Sequence, residues 1–242
     1  MAELIVAFDV DSGREALRLA DRLPGLGWAK IGARLFVREG PAVIREFRAR
    51  GVRVFLDLKW HDIPSTVAGA VAAAGELGAA MATVHCLGGR EVLAAAAQAA
   101  AGGPLALVGV TVLTSHDAGG LGAVLGRGVP DVGAEAERLA RLALQAGLRG
   151  VVASGHELVL LRAALGGEPW IVVPGVRPAR EPGTGVPGGG GGGGSGDDQA
   201  RTITPEEAVR RGATHLVVGR PILQAAAPAT VYRRLVEAVR GG

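Results

Sequence analysis

The sequence predicts an α/β fold, a single (β/α)8 TIM barrel over residues 1–242, and three observations carry that reading. Eight apolar runs of strand length recur along the chain, each nearly continuous rather than alternating, as strands covered on both faces must be. Segments of helical character separate them, and 242 residues suit eight βα units closed into one barrel better than an open sheet. Finally, Asp9, Lys30, Asp57, Lys59, His85, Thr114 and Arg220 all lie at or just past the C-terminal ends of apolar runs, and a barrel gathers those ends on one face.

In chain order, LIVAFD (4–9) leads into the helical SGREALRLADRL, and WAKIG (28–32) is followed by PAVIREFRARG. VRVFLDL (52–58) precedes PSTVAGAVAAAGELG, which the Ile63-Pro64 dipeptide opens because proline is suited to a first helical turn. MATVHC (81–86) leads to REVLAAAAQAAAGG, LALVGVTVL (105–113) to VGAEAERLARLALQAGL, and GVVAS (150–154) to HELVLLRAALGG. WIVVPG (170–175) is separated from TPEEAVRRGA by a long glycine-rich stretch, and HLVVGR (215–220) is followed by a closing segment from Pro221 to Arg240. Residues 92–115 carry no charge, yet Gly102-Gly103-Pro104 interrupts them. An Ala-rich helix followed by a strand is expected there, not a membrane span.

The exception to compactness is PAREPGTGVPGGGGGGGSGDD (178–198), with Gly188 to Gly194 unbroken. It reads as a flexible lid over the barrel mouth or as a low-complexity insertion. It is not a phosphate-cradling glycine loop, which follows a strand directly and opens a helix.

Composition narrows the function classes. With 48% hydrophobic and 20% charged residues the chain builds a sizeable core. One cysteine, Cys86, allows no intrachain disulfide, and MAELIVAFDVDSG has no basic leader, so a cytoplasmic location is expected. The net charge of +3 comes from arginines spread along amphipathic segments, with one tyrosine for base stacking, so a small anion is the expected partner and nucleic acid is not. Of the 26 Lys and Arg residues only positions 30 and 59 are lysine, both at the ends of apolar runs. Arginine cannot release a proton near neutral pH, whereas an ammonium can be tuned to do so.

FLDLKWHDIPST (55–66) concentrates the chemistry. Asp57 and Lys59, two apart, share one side of a strand, and Asp62 follows near the helix start. Alternating carboxylates hold an ammonium charged and oriented, and they leave a substrate anion facing a negative charge. That suits proton donation to a carbanion. After the eighth run, Gly219 permits close approach and Arg220 offers a clamp for phosphate oxygens at a helix N-terminus.

These residues carry a resemblance to the orotidine 5'-phosphate decarboxylase family, in its bacterial branch. It runs through AFD at Asp9, KIG at Lys30, FLDLKWHDIPSTV (55–67), VHCLGG at His85, GVTVLTS (109–115), VVASGHE (151–157), VPGVRP (173–178), GDDQARTITP (196–205) and VVGRPI (217–222). The DxKxxDIPxT element is the most specific of these. The resemblance implies decarboxylation of orotidine 5'-phosphate to UMP, the last step of de novo pyrimidine nucleotide biosynthesis, without metal or organic cofactor. Lys59 would protonate C6, Asp57 would sit against the departing carboxylate, and Asp62 with Thr66 would reach the partner's site in a homodimer. Asp9 and Lys30 would hold the ribose hydroxyls, Thr114 the pyrimidine, and Arg177, Gln199, Gly219 and Arg220 the phosphate side. His61 would be a neighbour of the array, His85 structural and Cys86 a buried strand-end residue. The 21 residues between Arg177 and Gln199 exceed what a bacterial relative leads one to expect. Two rivals stand beside this: a magnesium-dependent keto-sugar-phosphate decarboxylase sharing the barrel and array, and a barrel that binds a nucleotide phosphate without catalysis. Lys30 speaks against the first, because a cation cannot ligate Mg2+; the intact Asp57, Lys59 and Asp62 speak against the second.

Overall fold

The computed structural model describes residues 1–177 and 202–241. The eight strands of the described residues are β1 (Glu3–Ala7), β2 (Trp28–Gly32), β3 (Arg53–Trp60), β4 (Met81–His85), β5 (Ala106–Val110), β6 (Gly150–Val152), β7 (Trp170–Val173) and β8 (His215–Val218). They pair in parallel, each with its sequence neighbour, and β8 closes on β1 through Glu3↔His215 to Val6↔Val218. The expected barrel is therefore the observed one. Most strands end a little before their apolar runs do, and β3 extends past its run to include Lys59 and Trp60.

The helices are α1 (Gly13–Ala20), α2 (Ala33–Glu39), α3 (Ala42–Ala49), α4 (Pro64–Glu76), α5 (Gly89–Ala100), α6 (Ala118–Leu125), α7 (Val132–Gln145), α8 (Leu158–Leu165), α9 (Pro205–Arg210), α10 (Arg220–Leu223) and α11 (Pro228–Gly241). The charge-free stretch at 92–115 divides as expected into the end of α5, a break with Gly102 at φ 76°, and β5. None of the described helices is long and apolar enough to cross a membrane. Two helices were not expected. α2 starts from Gly32, which offers no side-chain cap, and α6 (AGGLGAVL) carries three glycines and little helical patterning. α2 braces the loop after β1: Arg34 donates twice to Asp11, at 2.9 and 2.6 Å, Arg38 lies 3.3 Å from Asp11, and Glu39 accepts from Gly13 N at 2.7 Å.

Strand parity divides the core. Ile5, Ala7, Trp28, Phe55, Met81, Val108, Val172 and Val217 fill the barrel interior. Leu4, Val6, Ala29, Ile31, Val54, Leu56, Ala82 and Val84 face outward into the larger core beneath the helices. At the N-terminal ends of the strands the interior closes on an aromatic and charged cluster. His215 is buried between Trp28, 5.7 Å away and edge-on, and Trp170, 4.6 Å away. Trp28 Nε1 donates to Glu3 at 3.0 Å, while Arg53 pairs with Glu3 and lies 4.3 Å over the Trp28 ring. The Thr214 hydroxyl lies 2.9 Å from His215 Nδ1, and Nε2 has no hydrogen-bond partner among the described residues.

Candidate active site

The parity that puts Ile5, Trp28, Phe55 and Met81 inside the barrel also turns the later residues of those strands inward, since side chains alternate along a strand. Lys30, Asp57 and Thr83 follow on β2, β3 and β4, and Asp9 lies just beyond β1. Apolar residues fill the lower barrel, and charged ones cap it at the C-terminal mouth.

Four side chains form a continuous alternating chain. Lys30 Nζ lies 3.0 Å from Asp9 Oδ1 and 3.5 Å from Asp57 Oδ2. Lys59 Nζ donates to both oxygens of Asp57, at 2.8 and 2.9 Å. The Thr83 hydroxyl adds a bond to Asp57 Oδ1 at 3.1 Å. Burial alone would raise the Asp57 carboxyl, but Lys30, Lys59 and the bonds from Lys59 and Thr83 outweigh it, so the group is held below the ordinary carboxylate range. Lys30 mirrors this: burial opposes its charge, yet Asp57 and Asp9 hold its ammonium above the usual value. Gly32 leaves room for the pair, because a Cβ there would meet Lys30 Nζ at 3.1 Å and Asp9 Oδ1 at 3.2 Å.

Lys59 does not follow Asp57 along a regular strand. Leu56 pairs with Ala82 and Trp60 with Val84, so Asp57, Leu58 and Lys59 bulge opposite the single residue Thr83. Lys59 has φ 49°, the only positive φ of a non-glycine residue among those described. Its N–H donates to Thr83 Oγ1 at 2.8 Å. The 40% exposure of its side chain, against 12% for Asp57, leaves the ammonium as the member of the pair open to the mouth.

Asp62, Ile63 and Thr66 are exposed at the start of α4. Asp62 and Thr66 share with Lys59 and His61 a cavity of about 350 Å³, and Asp62 Oδ1 accepts from Ile63 N at 2.6 Å. Among the described residues the Asp62 carboxylate makes no bond to the charged chain. A second cavity, of about 200 Å³, lies between Asp9, Asp11, Arg34 and Arg220. Gly219 brings the start of α10 against β1, where a Cβ would stand 3.3 Å from Ala7 O, and Arg220 opens that short helix. Arg177 follows β7, its N–H bonded to Ile203 O at 2.9 Å. Thr114 is half-buried in the loop after β5. Gln199 and the glycine run, with the expected lid, lie outside the described residues.

His85 stacks on His61 with ring centres 5.4 Å apart, and its Nδ1 accepts from Leu87 N at 3.2 Å. Burial, followed by His61, Lys59 and His116, pushes its imidazole down to about 4, so it is neutral at pH 7. Burial pushes the Cys86 thiol up to about 12, which leaves it inert as a nucleophile. Thr83 and Gly32 are absent from the sequence-based set. Parity from the interior Met81, two residues earlier on β4, turns Thr83 inward, but nothing in MATVHC marks its hydroxyl as part of the site.

Charged side chains gathered over an apolar barrel interior at the C-terminal ends of the strands stand where (β/α)8 enzymes hold their active sites. Comparison with known proteins narrows that class. The Orotidine 5'-phosphate decarboxylase / HUMPS family matches residues 2–235, and the chain belongs to that family. It is 49% identical over 212 residues to the orotidine 5'-phosphate decarboxylase of Anaeromyxobacter sp. (strain K), covering 88% of this chain and 86% of the relative. Identity to the Nitrosospira multiformis orotidine 5'-phosphate decarboxylase is 44% over 234 residues, 96% of this chain and 91% of that one. The crystal structure of the Lactobacillus acidophilus orotidine 5'-phosphate decarboxylase superposes with a TM-score of 0.83 at 30% identity, covering 99% of each chain.

Proposed function

We propose that this chain converts orotidine 5'-phosphate to UMP and carbon dioxide, completing de novo pyrimidine nucleotide synthesis in the cytoplasm without metal or organic cofactor. The observation that carries the reading is the Lys59 ammonium held by both oxygens of Asp57 at 2.8 and 2.9 Å at the barrel mouth. A substrate carboxylate brought against Asp57 meets a negative charge that burial keeps poorly screened. Breaking the C6–carboxylate bond removes that repulsion as neutral carbon dioxide. The electron pair stays on C6, where the adjacent ammonium stabilises it and then supplies a proton. Lys59 recovers its proton from solvent, since its side chain is partly exposed.

In this reading Asp9 and Lys30 hold the ribose hydroxyls, Thr114 the pyrimidine, and Arg177, Gln199, Gly219 and Arg220 the phosphate side. Asp62 and Thr66 complete the site of a second protomer. Support for the homodimer comes from the start of α4, where Asp62 and Thr66 are exposed and line a cavity with Lys59, and where Asp62 makes no bond to Lys59, Lys30 or Asp57 of its own chain. Against the magnesium-dependent alternative stands the position of Lys30, whose ammonium lies between the Asp9 and Asp57 carboxylates where a divalent cation would need oxygen donors.

The test is conversion of orotidine 5'-phosphate by chelator-treated protein, followed through loss of orotate-ring absorbance. Turnover without added metal is expected, and Lys59→Arg should retain less than about a tenth of kcat because arginine keeps the charge but does not donate the proton. No UMP from the wild type, or turnover only with Mg2+ and a keto-sugar phosphate, overturns the reading.

A further inference from the structure

Thr83 lies completely buried on β4, facing the barrel interior, and its hydroxyl is engaged in both directions. The Lys59 N–H can only donate, so Oγ1 accepts there, at 2.8 Å. The ionised Asp57 carboxylate can only accept, so the hydroxyl proton goes to Oδ1, at 3.1 Å. One side chain therefore ties the backbone of the proposed proton donor to the carboxylate that holds its ammonium.

The β3 bulge explains why a hydroxyl is needed at this point. In a regular parallel ladder a β4 carbonyl would take such an N–H, but three residues of β3 stand opposite Thr83 and the regular pattern is broken. Lys59 meanwhile holds a left-handed backbone that a non-glycine residue keeps only where its surroundings impose it. Asp57 has a related need. Its other donors, Lys59 and Lys30, reach it through long flexible side chains, whereas the β-branched Thr83 donates from a packed strand.

We infer that Thr83 is a positioning residue for the reaction: its hydroxyl fixes the Lys59 backbone and the Asp57 carboxylate together, so that ammonium and carboxylate meet the substrate as one rigid pair. The inference rests on the decarboxylase reading for the chemistry served, and on the bulge geometry for the rest.

Thr83→Val keeps the branched shape and removes the hydroxyl, while Thr83→Ser keeps the hydroxyl and removes the methyl. With orotidine 5'-phosphate, Thr83→Val should lower kcat by roughly 10- to 100-fold, the scale of a misplaced catalytic group, with KM changed by less than about threefold. Thr83→Ser should stay within about threefold of wild type in both. A second readout needs no turnover. Only Lys30 and Lys59 are lysines, so protein grown on lysine labelled with 13C at Cε gives two side-chain signals, and Lys59→Arg assigns them. In Thr83→Val the Lys59 signal should move toward that of free lysine, and in Thr83→Ser it should not. If Thr83→Val does not fold, Thr83→Ala carries the same expectation. A folded hydroxyl-free variant with wild-type kcat and an unmoved Lys59 signal overturns the inference. So does Thr83→Ser falling as far as Thr83→Val, since packing would then be the cause. Wild-type protein that forms no UMP instead overturns the decarboxylase reading, and the lysine signals still decide whether Thr83 holds the pair.

Discussion

Replacing Lys59 with glycine should leave a more stable protein than replacing it with alanine, a reversal of the ordinary order in a strand. Both changes remove the ammonium and its contacts to Asp57, so their difference isolates the backbone. At φ 49° an L residue with a Cβ is in the left-handed region, which costs about 1–2 kcal/mol that glycine does not incur. Glycine in turn loses about 0.5–1 kcal/mol more chain entropy than alanine on folding. At the middle of those ranges the first effect exceeds the second, and Lys59→Gly should be the more stable by roughly 0.8 kcal/mol. Were Lys59 in regular extended backbone, only the entropy difference would remain and alanine would win.

The assay is urea unfolding of both variants at one pH, with stability taken from the midpoint at a common slope. Neither should turn over orotidine 5'-phosphate. Alanine equal to or more stable than glycine refutes the left-handed assignment, and with it the claim that β3 holds strain at the proposed proton donor. The expected order means the fold keeps a lysine where glycine would be more comfortable, because the ammonium can be delivered from no other side chain there.

Three further outcomes are expected. Mixing inactive Lys59→Ala and Asp62→Ala proteins should restore activity through one intact site per heterodimer; proven subunit exchange with no activity places Asp62 in its own chain's site. Arg220→Ala should lower kcat/KM by about 2 kcal/mol, roughly thirty-fold, through loss of a charge-assisted contact to the phosphate, and a change under about threefold would remove it from the phosphate site. His215 is pushed down to about 4, chiefly by burial, with Glu3 opposing and Arg53 assisting. An unfolded histidine titrates near 6.5, so between about pH 6.5 and 4 the unfolded chain binds a proton that the folded chain refuses. Stability should therefore fall across that window by about 3 kcal/mol on account of His215 and level off below it. His85 adds a loss of its own, so urea unfolding at pH 7 and 4.5 should show a smaller, not vanished, decline in His215→Phe. An unchanged decline in that variant rejects the assignment to His215.

The eight strands were legible because each is covered on both faces and so reads as an unbroken Val, Ile and Leu run between turn residues, a pattern local enough to see in LALVGV or HLVVG. α2 and α6 were not, since neither announces itself. ARLFVRE begins from glycine, and its reason for being helical is the long-range grip of Arg34 and Arg38 on Asp11 across the β1 loop. The strand-end acids and lysines could be placed at the mouth from position alone. Their pairing could be foreseen only in part. Asp57 and Lys59 were expected to meet as alternate residues of one strand, and they meet through a bulge with a left-handed lysine, which no property of the string DLK reveals. Thr83 was invisible for a related reason: MATVHC reads as any buried strand until β3 is known to bulge against it.

The two ends of the barrel divide the work. At the N-terminal ends, Trp28, Trp170, His215, Glu3 and Arg53 close the interior with edge-on and tilted ring contacts and an ion pair, a plug in which hydrogen bonds and packing serve stability. At the C-terminal ends the same inward positions hold Lys30, Asp57 and Thr83, and the single strained non-glycine backbone of the described residues is found there too. Burying a carboxylate and a lysine costs free energy unless each is paired, and here each group at the mouth is paired with its neighbour's opposite charge. The charges of the array are thus already paired with one another in the protein alone. On the proposed decarboxylase reading, a site arranged in advance need reorganise less as charge moves from a carboxylate to C6, which is the saving that electrostatic catalysis by preorganised groups supplies.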